Sequence, residues 1–274
     1  MTEPLFRVEN LSVVLPDPKR KALFGRRPMI EILHGLSFSI EAGTVVGIVG
    51  ESGSGKSTLG RALVRLLEPT AGAISFAGGD ITHLGEAELR PLRRDLQVIF
   101  QDPLSSLNPR LTIESIIARP LLFHGLAGDS GEAGNLAAAA LANVGLPPSF
   151  TARYPHELSG GQRQRVGIAR AIALKPRFVL ADEIVSGLDV SSKAQILALL
   201  ERLKAELGLT MAFISHDLSV VRRLCDQVIV MRRGEILEDR PAEALFAAPE
   251  HPYTAELKAA IPLPEVDAGW LARA

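Results

Sequence analysis

Nine consecutive residues constrain this chain more than any others: Gly50-Glu51-Ser52-Gly53-Ser54-Gly55-Lys56-Ser57-Thr58. They fit the pattern G-x-x-x-x-G-K-[ST]. Before them lies a compact apolar run, Val45-Val-Gly-Ile-Val49, which reads as a strand buried on both faces. After them Leu59, Leu63 and Leu66 recur at helical spacing. Strand, glycine-rich turn and helix in that order make a phosphate cradle. The glycines let the backbone turn tightly, so that successive N–H groups face phosphate oxygens. The helix adds its positive N-terminal end. Lys56 supplies a point charge to the β- and γ-phosphates, and the Ser57 hydroxyl is suited to ligate Mg²⁺.

The rest of the chain reads as α/β. Phe178-Val-Leu-Ala181, Met211-Ala-Phe-Ile214 and Val228-Ile-Val-Met231 are further buried-strand runs, the last leading into a hairpin that turns at Gly234. Ile196, Leu199, Leu200, Leu203 and Leu207 mark a helix. From about 102 to 157 the buried-strand pattern stops; an alanine-rich segment, Glu132 to Val144, points to a helical insertion there. Asp17 to Pro28 is basic and bounded by prolines, hence an exposed loop, and 242–274 reads as a C-terminal appendage.

Composition removes several function classes. Thirty basic residues against thirty-one acidic ones give a net charge of -1, which argues against bulk electrostatic binding of nucleic acid. The one cysteine, Cys225, rules out an internal disulfide, a Cys-based zinc site or a Cys-ligated iron–sulfur cluster, and reads as a buried thiol. The longest strictly apolar run, Leu136 to Ala142, is far short of the ~20 residues of a membrane span. Met1-Thr-Glu-Pro has no signal-peptide character, so a cytoplasmic location is expected.

Two further constellations carry chemistry. Asp182 ends the run Phe178–Ala181, where the metal partner of a phosphate loop should sit, and Glu183 follows it. Side chains alternate along a strand, so the two carboxylates can be aimed differently. Asp182 can hold Mg²⁺ through water, leaving Glu183 to polarise an attacking water. Without the phosphate loop, the pair would read as a solvated strand end. The second constellation is Leu158-Ser159-Gly160-Gly161-Gln162, which opens a helical stretch running to Leu174. It is another anion-binding helix start. One phosphate loop has no need of a second cradle in cis, so this one is expected to serve a nucleotide held by another subunit in a two-fold pair. Read alone, it would be only a capped helix.

In this order the motifs resemble the ATP-binding cassette (ABC) family over nearly the whole chain. The series is the phosphate loop at 50–58, Gln101 ending Val98-Ile-Phe-Gln, Ser159-Gly-Gly-Gln162, Asp182-Glu183, Ser186-Gly-Leu-Asp189, and His216 in Ile214-Ser-His-Asp217. The resemblance implies a P-loop NTPase core with a mostly parallel sheet, an antiparallel β subdomain and a helical insertion carrying the signature motif. Residues 1–241 would be the nucleotide-binding domain, with its helical part at about 102–160, and 242–274 a C-terminal extension. It implies ATP and Mg²⁺ as ligands. Residues 50 through 58 would bind ATP, joined by Ser159, Gly160, Gly161 and Gln162 acting on the partner's nucleotide. Ser57, Gln101 and Asp182 would address the metal. Glu183, His216 and Gln101 would be catalytic, and Asp189 would lie near the subunit interface.

Gln101-Asp-Pro-Leu-Ser-Ser-Leu-Asn-Pro109, Tyr154-Pro-His-Glu-Leu158 and His251-Pro-Tyr-Thr254 narrow the resemblance to ATPases of oligopeptide, dipeptide and nickel importers. That implies a second cassette subunit, identical or related, two membrane-spanning permease subunits, a solute-binding protein acting indirectly, no nucleic acid, and a peripheral place on the cytoplasmic face of the cell membrane. His251-Pro-Tyr-Thr can equally be only a turn. Three positions depart from the family pattern: Ile184 and Val185 stand where Pro-Thr is usual, and Gly187 where alanine is common. Leu15 stands near the place of an adenine-stacking aromatic, for which Phe24 is a candidate substitute. Three rival readings stay open on sequence: a soluble cassette ATPase working on DNA or ribosomes, a catalytically silent ATP-binding partner, and a generic P-loop kinase.

Overall fold

In the computed structural model, which describes residues 3–17 and 28–261, the continuous apolar runs are strands with both faces covered. The elements follow in order. β1 (Phe6–Pro16), β2 (Met29–Ile40) and β3 (Val45–Val49) precede α1 (Lys56–Leu63). Next come β4 (Ala71–Phe76), β5 (Gly79–Asp80), α2 (Glu86–Leu92) and β6 (Leu96–Ile99). The helices α3 (Pro103–Ser106), α4 (Ile113–Phe123), α5 (Ser130–Asn143) and α6 (Gly160–Ala173) fill the middle of the chain. After them come β7 (Phe178–Asp182), α7 (Val190–Leu207), β8 (Thr210–Ile214), α8 (Leu218–Leu224), β9 (Gln227–Arg232), β10 (Glu235–Pro241), α9 (Ala242–Ala247) and α10 (Pro252–Ala259).

Two sheets result. One runs β10-β9-β3-β8-β7-β6, with every pairing parallel except the β9–β10 hairpin. The other runs β2-β1-β4-β5 and is antiparallel throughout. The period of two along each central strand divides the core in two. Val45 and Val49 of β3, Val179 and Ala181 of β7, and Met211 and Phe213 of β8 face the core shared with the helices α4 to α9. Val46 and Ile48, Phe178 and Leu180, and Ala212 and Ile214 face the other core, which holds α1 and the antiparallel sheet. Phe6 of β1 joins the two sheets, its ring 4.7 Å from Phe178 and 5.0 Å from Phe76.

Helix starts follow the local chemistry. Thr112, Asp129, Ser159, Asp189 and Asp217 each cap a helix by accepting a backbone N–H from its first turn. From α3 to the start of α6 the chain is helical, with 3-10 turns at Pro148–Ala152 and Pro155–Glu157. One expected helix is shorter than its leucine spacing suggests. α1 stops at Leu63, and Leu66 is 51% exposed beyond it. The chain turns left-handed at Arg65 (φ +53°). The Arg65 guanidinium then donates to the carbonyls of Ile81, Leu67 and Leu84, which holds the descent into the next strand. Residues 18–27, with Phe24, and residues 262–274 lie outside the described residues. Leu15 is a partly buried residue of β1, packed on the second core.

The parallel sheet positions the site. The phosphate loop leaves the C-terminal end of β3, Gln101 that of β6, Glu183 that of β7 and His216 that of β8. These strands are neighbours, so four loops distant in sequence open on one edge, the usual location of ligands in such sheets.

Candidate functional site

The phosphate loop is built tightly against the hairpin strand. Gly50 has φ +147°, and a Cβ there would come within 2.1 Å of the Met231 carbonyl oxygen, so no other residue fits. Lys56 Nζ donates to the carbonyls of Gly50 and Glu51, each at 2.8 Å. Burial lowers the Lys56 pKa, and the nearby carboxylates of Glu183, Asp182 and Glu51 oppose that. The lysine is therefore desolvated and held by loop carbonyls that a phosphate can replace.

Ser57 Oγ donates to Asp182 Oδ1 at 3.0 Å. Asp182 is buried, and that burial raises its pKa; the hydrogen bond from Ser57 and the charges of Arg61 and Lys56 act against it. This pair offers hard oxygen donors beside the phosphate cradle, the chemistry Mg²⁺ prefers. Among the described residues no group of three His, Cys, Asp or Glu side chains could hold a metal alone. A magnesium ion here fits only as one sharing its shell with phosphate oxygens and water, the way this ion is commonly bound.

Glu183 sits one residue past β7 at φ +48°, a conformation uncommon for residues other than glycine. Backbone bonds fix it there. Its N–H donates to the Ile214 carbonyl at 3.0 Å, and its carbonyl accepts from Ser186 N–H at 3.0 Å and Ser186 Oγ at 2.7 Å. The turn sets Glu183 in the cleft that Gln101 and His216 also line. Gln101 Nε2 donates to Glu183 Oε2 at 3.0 Å, and His216 Nδ1 lies 3.7 Å from Glu183 Oε1. Gln101, Gly160, Glu183, Ser186, Gly187 and His216 line one cleft of about 520 Å³. Of the three departures from the family pattern, Ile184 and Val185 are buried in the helical-side core, and Gly187 lines the cleft.

Ser159 begins α6 with reciprocal capping: its Oγ accepts from Gln162 N–H at 3.3 Å, and its own N–H donates to Gln162 Oε1 at 2.9 Å. A Cβ on Gly161 would lie 3.0 Å from Ser192 Oγ, so the helix start packs closely on α7. Asp189 caps that helix, accepting from Ser192 N–H at 2.9 Å and Ser192 Oγ at 2.7 Å. The sequence-derived residues thus fall into groups. Residues 50–58 join Asp182, and Gln101 and His216 converge on Glu183. Among the described residues, no hydrogen bond ties 159–162 to the phosphate loop. Sequence reading missed Tyr253, whose hydroxyl accepts from Glu51 N–H at 2.9 Å. Its signal was the motif His251-Pro-Tyr-Thr254, but nothing local said where the tyrosine would reach.

Comparisons with known proteins agree with this layout. The family described as ABC transporter matches residues 33–186. A Brucella ovis protein provisionally named a peptide import ATP-binding protein is 54% identical over 269 residues, covering 98% of this chain and 82% of its own length. The oligopeptide transport ATP-binding protein AppF of Bacillus subtilis is 50% identical over 248 residues, covering 90% of this chain and 75% of its own. Among solved structures, the dimeric post-hydrolysis state of the ATP-binding cassette MJ0796 bound to ADP and Pi superposes with a TM-score of 0.76 at 31% identity, covering 86% of this chain and 98% of that one.

Proposed function

The chain belongs to the ABC transporter family, and we propose that it is the ATP-hydrolysing subunit that powers an importer of di- or oligopeptides. One observation supports the chemistry above the rest. The Glu183 carboxylate is held between Gln101 at 3.0 Å and His216 at 3.7 Å, on the sheet edge that carries the Ser57–Asp182 pair. In that setting Glu183 orients and polarises a water, and His216 and Gln101 fix the carboxylate. Lys56 exchanges the Gly50 and Glu51 carbonyls for β- and γ-phosphate oxygens. Mg²⁺, held by Ser57 and Asp182 with Gln101 nearby, would neutralise phosphate charge.

Ser159, Gly160, Gly161 and Gln162 contribute to the nucleotide of a second cassette subunit. Their backbone N–H groups open α6, and among the described residues no hydrogen bond ties them to the phosphate loop of the same chain. Two such subunits, identical or related, close around two nucleotides, and hydrolysis reopens them. Residues 1–241, with a helical part at about 102–160, act as the nucleotide-binding domain, and 242–274 as its extension.

A groove of about 580 Å³ beside Gln101 supports coupling to the membrane. Val98, Phe100, Arg119, Phe123, His124 and Arg170 are among the residues that line it. Phe123 is 59% exposed and Phe100 38%, an apolar floor for a helix of a permease subunit. No helix of the described residues is long and apolar enough to cross a membrane. In the importer reading the permease is another chain, and this one docks on it at the cytoplasmic face. Peptide cargo is the reading that the names of the relatives support.

Affinity capture of the tagged chain from detergent-solubilised membranes of its host tests the importer reading. Two multi-span membrane proteins and a solute-binding protein encoded beside them are expected. Recovery of soluble proteins or nucleic acid alone would contradict it.

A further inference from the structure

The peptide unit that joins Gly50 to Glu51 is gripped from both sides. Its carbonyl accepts from Lys56 Nζ at 2.8 Å, and its N–H donates to the Tyr253 hydroxyl at 2.9 Å. In a trans peptide these two groups point in opposite directions. Lys56 and Tyr253 therefore fix the orientation of this plane between them, although they belong to opposite ends of the chain.

Tyr253 is itself held firmly. It is 7% exposed, and the Arg232 guanidinium lies 4.6 Å from its ring centroid. Arg232 Nε is 3.6 Å from Glu51 Oε1, so the same arginine touches both the tyrosine and the loop. His251 caps α10 by accepting the Tyr253 N–H on Nδ1 at 3.1 Å, and its own N–H donates to buried Glu238 of β10. The far end of α10 is near the other side of the site: Leu257, Ala260 and Ile261 share a cleft with His216 and Asp217.

We propose that Tyr253 is a positioning residue for nucleotide binding, its hydroxyl setting the Gly50–Glu51 peptide in the orientation that receives phosphate. The proposal rests on the ATPase reading above. With the hydroxyl present, the Glu51 N–H is satisfied and the Gly50 carbonyl stays turned toward Lys56. Without it, Lys56 alone holds the plane; once Lys56 turns to phosphate the peptide can rotate, and that loss of order in the bound state weakens affinity.

The test is Tyr253→Phe in the full chain, which keeps the ring and its contact with Arg232. ATP affinity is measured by titration with a fluorescent N-methylanthraniloyl ATP and by competition with MgATP, and steady-state hydrolysis supplies KM and kcat. The expected result is roughly two- to tenfold weaker binding, the scale of one neutral hydrogen bond. KM should rise in parallel, with kcat at saturating ATP held within about twofold. Tyr253→Ala, which also removes the ring, should shift KM at least as far. Wild-type affinity in Tyr253→Phe would overturn the proposal. So would a smaller active fraction with unchanged affinity, because that is the mark of a helix that only supports the fold. A wild-type chain that binds neither nucleotide would overturn the ATPase reading itself.

Discussion

Asp182 carries its charge where burial opposes it, and the Ser57 hydrogen bond and the Arg61 and Lys56 charges offset that only in part. Its folded pKa is raised above the unfolded value, so the folded state holds the proton more tightly. Stability then falls as pH rises through the folded pKa, and the cost is fully present above it. Removing the charge should therefore stabilise the nucleotide-free chain. We expect Asp182→Asn to raise the unfolding temperature near neutral pH, with the gain shrinking as pH falls toward the ordinary carboxylate value; calorimetry across pH measures both. The same variant should lose roughly 10²–10³-fold in ATP hydrolysis, the scale of one lost electrostatic contributor. A drop in unfolding temperature at neutral pH would show that the carboxylate stabilises the fold. Cys225 is inert on the same grounds: burial pushes its thiol far above the usual range.

At the scale of elements, α8 ties the His216 loop to α7. Burial acts to raise the Asp217 carboxyl, but hydrogen bonds from Lys193 and Ser219 and the Lys193 charge outweigh it, holding the pKa down to about 2. Asp217 also accepts Ser219 N–H at 3.0 Å to cap the helix. Replacing it with alanine should cost about 1–2 kcal/mol, the range for a lost N-cap, read from urea denaturation. Because the folded pKa is depressed, this contribution is present above the ordinary carboxylate value and fades as pH falls toward about 2. A cost that does not vary with pH in that range would mean that the cap acts without its charge. Elements whose signal is local were legible in the sequence. β3, β7, β8 and β9 read as apolar runs because both their faces are covered, and α7 showed an unbroken leucine stripe. The end of α1 was not legible. Leu66 keeps the helical spacing, but carbonyls from residues 67, 81 and 84, brought together by the fold, set where the helix stops.

For the whole molecule, contiguous motifs announced the phosphate loop and the Asp182–Glu183 pair, while their convergence is a product of strand order. Gln101 and Glu183 are 82 residues apart, and β6 beside β7 brings them to 3.0 Å. The contact from Tyr253 to Glu51 spans 202 residues and has no periodicity or composition to betray it. The half of the site contributed by residues 159–162 is proposed to work only across a dimer. Gly160→Asp, which sets a carboxylate where the partner's phosphate would lie, should leave ATP binding by the isolated subunit within about twofold. It should abolish ATP-driven dimerisation and lower hydrolysis by at least roughly 10²-fold. Unchanged hydrolysis would place catalysis within one subunit.

The most direct test of the account is Glu183→Gln, which keeps the size and one acceptor oxygen and removes the charge. Phosphate release and molar mass in MgATP, from a coupled assay and light scattering, are measured together. We predict hydrolysis lower by roughly 10²–10⁴-fold, the scale of lost general-base catalysis, and a mass that doubles as the closed ATP-bound dimer accumulates. Phosphate release at the wild-type rate would contradict the assignment of Glu183 and the mechanism built on it.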